Sequence, residues 1–229
     1  MENSPNRSLP VAAGPLALPV ATSTANRVLR NTYLLLSATL MFSAAMAGLC
    51  MALGAPRLGV MPTLLVYFGL LFGVHKLQNS AWGVAAVFGL TGFLGFTLGP
   101  IISLYLHAIP NGAMVVANAL GITGVTFVAL SLYAVRTRRS FSFLGGFLFV
   151  GVMTAFLLGL AAIFFHLSGL SLAVSGLFVL LSSGLILWET GEIVNGGETN
   201  YVLATVSLYV SLFNLFTSLL QLLGFASND

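Results

Sequence analysis

Apolar residues run along this chain in long, nearly unbroken stretches, and polar residues gather in the short breaks between them. A helix needs about 20 residues to cross a hydrocarbon core about 30 Å thick. Runs of that order recur over 33–53, 58–74, 81–106, 112–135, 144–165, 169–189 and 200–223, the second being the shortest. The connections are brief: "GAPRLG", "HKLQNS", "HAIPNG", "RTRRSFS", "HLS" and the acidic "TGEIVNGGETN". This pattern predicts an all-α polytopic membrane protein of seven transmembrane helices, with no soluble domain inserted between them.

The few polar residues inside the runs are not scattered. In the last run Ser207, Ser211, Asn214, Ser218 and Gln221 are separated by four, three, four and three positions, which draws one stripe down a single helical face. Lipid cannot satisfy Asn or Gln, so that face must look at other helices or at a wet cavity. The seventh helix is therefore expected at the centre of the bundle. Its stripe serves either as packing contacts between helices or as a functional lining. In the sixth run Ser168, Ser175, Ser182 and Glu189 recur every seven residues, again on one face, and the two stripes suit helices that face each other at a small crossing angle. Glu192 falls on the face of Glu189. In the third run Gly95 and Gly99 form a GxxxG pair that lets a neighbouring backbone approach closely, and Pro100 follows as a kink point.

Composition narrows the class. Of 229 residues, 58% are hydrophobic and 6% charged, where a soluble domain carries about a quarter charged. The single cysteine, Cys50, allows no internal disulfide and reads as a small packing residue. His75, His107 and His166 lie near helix ends without ligand spacing, so no metal site is expected, and no cofactor. The net charge of +3 forms no basic patch and points to no nucleic acid. It reads instead as a topology signal: Arg7, Arg27, Arg30, Lys76, Arg136, Arg138 and Arg139 share one side, with Arg57 on the other, which puts the N-terminus in the cytoplasm and the C-terminus outside.

Residues 1–26 carry Pro5, Pro10, Pro15 and Pro19 among Ser, Asn and Thr. Proline at that density opposes a helix, so the stretch is expected to be a flexible cytoplasmic tail ahead of a membrane domain over 27–229. Its apolar part is broken by prolines, unlike a signal peptide, and the tail is expected to stay on the protein.

Three of the five acidic residues, Glu189, Glu192 and Glu198, cluster at the end of the sixth run. Trp188 marks the membrane interface, so Glu189 is expected at or just below the cytoplasmic boundary, where a carboxylate costs less than the ~3 kcal/mol of the midplane. There it is either poised to change protonation or held ionised by a basic neighbour such as Lys76. Glu192 and Glu198 read as a solvated rim. An intramembrane enzyme would need a catalytic constellation, and the chain has no GxSG serine, no paired intramembrane aspartates and no HExxH. It does not read as an enzyme.

Four segments, "FGLTGFLGFTLGPIISLYL", "RRSFSFLGGFLFVG", "SSGLILWETGEIVNGGETNY" and "ATVSLYVSLFNLFTSLLQLLGFAS", together resemble the Bax inhibitor (TMBIM) superfamily, and within it a branch of bacterial inner-membrane proteins. The resemblance runs from about Arg27 to Asp229. It implies a seven-helix fold with the last helix surrounded by the other six. It also implies a role as substrate and inhibitory modulator of FtsH, a membrane-anchored AAA+ zinc protease of membrane-protein quality control. FtsH pulls on an exposed cytoplasmic end, and 26 residues reach up to roughly 85 Å when extended, a suitable handle. Members of the calcium-leak branch close a cation pathway with two aspartates, a pH-sensitive latch. The first position corresponds here to Glu189, which keeps a carboxylate; the second corresponds to Ser211, which does not, and Asn214 keeps its place in the motif. The alternative role, a proton- or calcium-sensitive leak gated at Glu189 with Ser207, Ser211, Asn214 and Glu192 along the pathway, is weakened by that substitution. Two carboxylates give a divalent ion a place that a carboxylate and a serine do not.

Overall fold

A computed structural model describes the backbone of residues 17–227 and the side chains of residues 24–227. The described residues form seven helices: α1 (Ala17–Ala52), α2 (Val60–Leu77), α3 (Trp82–Ala108), α4 (Gly112–Thr137), α5 (Ser142–Phe164), α6 (Ser168–Asn195) and α7 (Tyr201–Ala226). All seven are long and apolar enough to cross a membrane. The protein is an all-α polytopic membrane protein.

The start of α1 departs from the sequence expectation. Residues 17–26, assigned to the tail, belong to the helix, and the rest of the tail, 1–16, lies outside the described residues. Proline density misleads here because Pro19 falls in the first turn of α1, where backbone N–H groups have no intrahelical acceptor to lose.

Burial identifies the central helix. In α7, 67% of the most apolar stretch is buried, against 39% in α3 and 6% in α2. α7 packs on α6, α4, α1, α3 and α2, whereas among the described residues the backbone of α5 comes close to α6 alone; its Phe156 ring meets Phe68 of α2 edge to face. The expectation that six helices surround the seventh is therefore corrected: α5 stands behind α6. Small residues explain the α5–α6 seam, where Leu181 lies over Gly151, Leu148 over Gly184, and the Trp188 indole over Gly145. Trp188 thus packs into this seam; it is not an outward interface anchor, and its buried Nε1 has no hydrogen-bond partner among the described residues.

α1 and α3 meet through the glycines of α3. A Cβ on Gly95 would come within 2.7 Å of the Ser43 Oγ and 2.8 Å of its Cα, and one on Gly99 within 2.7 Å of the Cys50 Cβ. This close approach lets Ser43 reach past α3 to the hydroxyl of Tyr209 on α7. Tyr209 is among the largest fully buried side chains, and its hydroxyl also donates to the Thr91 carbonyl at 3.3 Å. A buried phenol needs such partners, and here they tie α1, α3 and α7 at one point.

Hydrogen bonds between loops define the two ends of the bundle. The Asn195 side chain donates to the Arg139 carbonyl at 3.1 Å, and Asn200 Nδ2 donates to the Gln78 carbonyl at 3.3 Å and the Asn79 Oδ1 at 3.1 Å. The ends of α2, α4 and α6 and the start of α7 therefore share one end, with Lys76, Arg136, Arg138 and Arg139. At the opposite end Ser227 donates to the Pro110 carbonyl at 3.5 Å, and Arg57 lies close to Ser103 and His107 of α3.

Candidate functional site

The polar stripes of α6 and α7 meet. Nearer the Arg57 end, Ser175 Oγ donates to Gln221 Oε1 at 2.8 Å, and Gln221 Nε2 donates to Ser171 Oγ at 2.6 Å. One amide thus uses both its donor and its acceptor across the seam. At the other end Ser211, almost fully buried, donates to Glu189 Oε2 at 3.4 Å. Between these contacts lie Ser182, whose buried hydroxyl has no partner among the described residues, Ser218, buried, and Asn214, partly buried.

Glu189 is partly buried, and its hydrogen-bond partner is a neutral hydroxyl. Lys76 does not hold it: α2 does not pack on α6, and the Lys76 side chain is exposed. The loop between α2 and α3 is drawn towards Asn200 and not towards Glu189, which is why the two charges stay apart. Ser207, the first member of the α7 stripe, is exposed, so the stripe is buried or partly buried from Ser211 inward and opens at Ser207.

The acidic loop is more ordered than a solvated rim. Glu192 lies in the last turn of α6, where its carbonyl accepts from Gly197 N at 2.8 Å and its side chain lies against Gly197. Gly196 closes the helix in the left-handed region at φ 78°, a conformation that glycine adopts without steric cost. Glu198 Oε1 accepts from Asn200 N at 2.6 Å. Asn200 in turn caps α7, its Oδ1 accepting from Val202 N at 2.9 Å and Leu203 N at 3.4 Å. A signal for this cap is present in the chain, though composition hides it: Asn just ahead of an apolar run is a helix-start residue.

Two further contacts escape polar-stripe reasoning. The Tyr33 hydroxyl lies 3.4 Å from Thr190 Oγ1, joining α1 to the residue after Glu189. Thr205 Oγ1 donates to the Tyr201 carbonyl at 2.7 Å and shares that hydrogen with the Thr32 carbonyl at 3.4 Å. Chemically, the cluster around Glu189 offers one carboxylate and hydroxyl groups. Among the described residues no group of three or more His, Cys, Asp or Glu side chains could hold a metal ion.

The sequence pattern of the family described as "Inhibitor of apoptosis-promoting Bax1" matches residues 25–228. The chain is 50% identical over 204 residues to the Escherichia coli protein named "Modulator of FtsH protease YccA", a match covering 89% of this chain and 92% of the relative. It is 48% identical over 202 residues to an uncharacterized Pseudomonas aeruginosa protein, covering 88% and 90%, and 43% identical over 205 residues to an uncharacterized Vibrio cholerae membrane protein, covering 89% and 92%. With the family pattern matched across all seven helices, this chain belongs to the Bax inhibitor family.

Proposed function

We propose that this protein is an inner-membrane partner of the FtsH protease, acting as its modulator and as one of its substrates. The observation that carries this reading is the 50% identity, over nearly the whole chain, to a relative named as a modulator of FtsH. A second relative of the same identity is named an inner membrane protein. The arginine-rich end, with Lys76, Arg136, Arg138 and Arg139, faces the cytoplasm by the positive-inside rule, together with the N-terminus; the C-terminus is periplasmic. Residues 1–16 then supply the cytoplasmic end that the protease grips, and the lateral surface of the bundle supplies recognition within the membrane. Nothing in this role requires catalysis by the chain itself.

The test is affinity purification from gently solubilised membranes, comparing the full chain with one lacking residues 1–16. The deletion stops there because a longer one would remove the first turns of α1. FtsH is expected with both forms, recognition lying in the bundle. Its absence from both would overturn the proposal.

A further inference from the structure

Away from the α6–α7 seam, the backbones of α1 and α4 stand apart. The gap between the start of α1 and the end of α4 is a groove of about 560 Å³, within the size range of small-molecule sites. Its walls are apolar: Leu29 on one side, Val128, Leu132 and Val135 on the other. The rings of Tyr33 and Phe127, 5.7 Å apart between centroids, stand at its inner end. Ser131 also lines it, and among the described residues the buried Ser131 hydroxyl has no partner.

Charge is one-sided at the outer end. Arg30 lines the groove, Arg27 precedes it by one turn on α1, and Arg136 follows Val135 on α4. Arg138 and Arg139 continue the same end, and among the described residues no acidic side chain lines the groove. The side chains of all five arginines are exposed, and among the described residues no ion pair engages them. In a bilayer this puts uncompensated guanidinium groups at headgroup depth, above an apolar slot that opens towards the acyl chains. From Asn26 to Tyr33 the slot runs roughly 10 Å along α1. A water-soluble anion would leave the apolar walls unused, and a bare acyl chain would leave the arginines unpaired. An amphiphile with a negative head satisfies both.

We propose that the α1–α4 groove binds one phospholipid of net negative headgroup charge, its head at Arg30 and Arg136 and an acyl chain along Leu29, Val128 and Leu132. A zwitterionic phospholipid fits less well, because its own cation is brought among arginines with no carboxylate to receive it.

The test is native mass spectrometry of the full chain in detergent, with phosphatidylglycerol or phosphatidylcholine of matched acyl chains added. One phosphatidylglycerol per protein is expected, at least tenfold preferred over phosphatidylcholine. The exposed-residue variant R30Q/R136Q should lower retention roughly 25-fold, taking about fivefold for each basic residue at the surface. Val128→Trp, at a wall position 59% exposed and so outside the packed core, should fill the slot and abolish retention; Arg57→Gln, at the opposite end, should leave it unchanged. Equal retention of the two lipids overturns the proposal, as does undiminished binding by R30Q/R136Q or by Val128→Trp. Retention that rises when residues 1–16 are deleted also overturns it, since the chain's own N-terminus would then be the occupant.

Discussion

Ser211 of α7 donates its hydroxyl hydrogen to the Glu189 carboxyl of α6, at 3.4 Å, and among the described residues no basic side chain pairs with either residue. The pair brings a single carboxyl group to the arginine-rich end of the seam. A divalent cation such as calcium takes six to eight oxygens and relies on several carboxylates for its affinity. We therefore expect millimolar calcium to leave the thermal midpoint of the detergent-solubilised protein unchanged. Ser211→Asp places a second carboxylate beside Glu189 and should make the midpoint rise with calcium. A calcium-dependent midpoint in the wild type would show that one carboxylate suffices and would return the ion-leak reading to favour.

At the far end of the same seam, Gln221 is held between Ser171 and Ser175. Interhelical hydrogen bonds in membranes average about 0.6 kcal/mol, so Gln221→Leu, which loses two, should destabilise by about 1 kcal/mol. Ser175→Ala should cost less, since it removes one interhelical bond, whose hydrogen Ser175 already shares with the Ser171 carbonyl of its own helix. A double-mutant cycle between Ser171 and Gln221, read by denaturant unfolding in micelles, should give a coupling of about 0.6 kcal/mol. No measurable coupling would mean that the clasp does not contribute in the lipid-like environment.

Glycine matters at some positions and not at others. The Cβ of Gly95→Ala would press on the Ser43 Cα at 2.8 Å, a backbone atom that cannot swing aside. Separation of α1 from α3 would also draw Ser43 from Tyr209. The expected loss is about 1–3 kcal/mol. Gly121 and Gly124 of α4 leave open space, with nothing within 4 Å of where a Cβ would stand, so Gly121→Ala should be neutral or stabilise by up to about 1 kcal/mol. Similar unfolding midpoints for the two variants would remove the α1–α3 contact from the account of stability.

Spacing alone carries the reading of α6 and α7 a long way. Polar residues are so rare in the runs that a four-three repeat can only be a face, and a face that lipid rejects must turn inward. That reasoning brings Ser175 to Gln221 and sets Glu189 opposite the polar side of α7. It fails where the signal is not polarity. α5 is apolar on every side, so its sequence cannot tell a helix seated on one neighbour from a helix seated on several. The Ser43–Tyr209 contact joins residues far apart in sequence, neither of which belongs to a stripe. Proline counted as a breaker obscures the start of α1, because its cost depends on the turn in which it falls. Residue type suggests an interface anchor at Trp188, while Gly145 across the seam decides where its ring lies.

The N-terminus gives the sharpest cellular prediction. α1 begins at Ala17 and its contacts with α3, α6 and α7 hold it in the bundle, so on the proposed role degradation that starts from this end engages the chain ahead of Ala17. An unfolding protease needs an accessible segment to engage before it can work against packed helices. On the proposed role, deleting residues 1–16, which leaves the described helices whole, should lengthen the protein's lifetime in cells and let the retained bundle inhibit FtsH more persistently. Pulse-chase labelling measures the first effect, and the lifetime of another FtsH substrate in the same cells measures the second. An unchanged lifetime would show that the protease takes hold elsewhere. A longer lifetime without stronger inhibition would separate the two roles and leave the protein a substrate whose bundle does not restrain the enzyme.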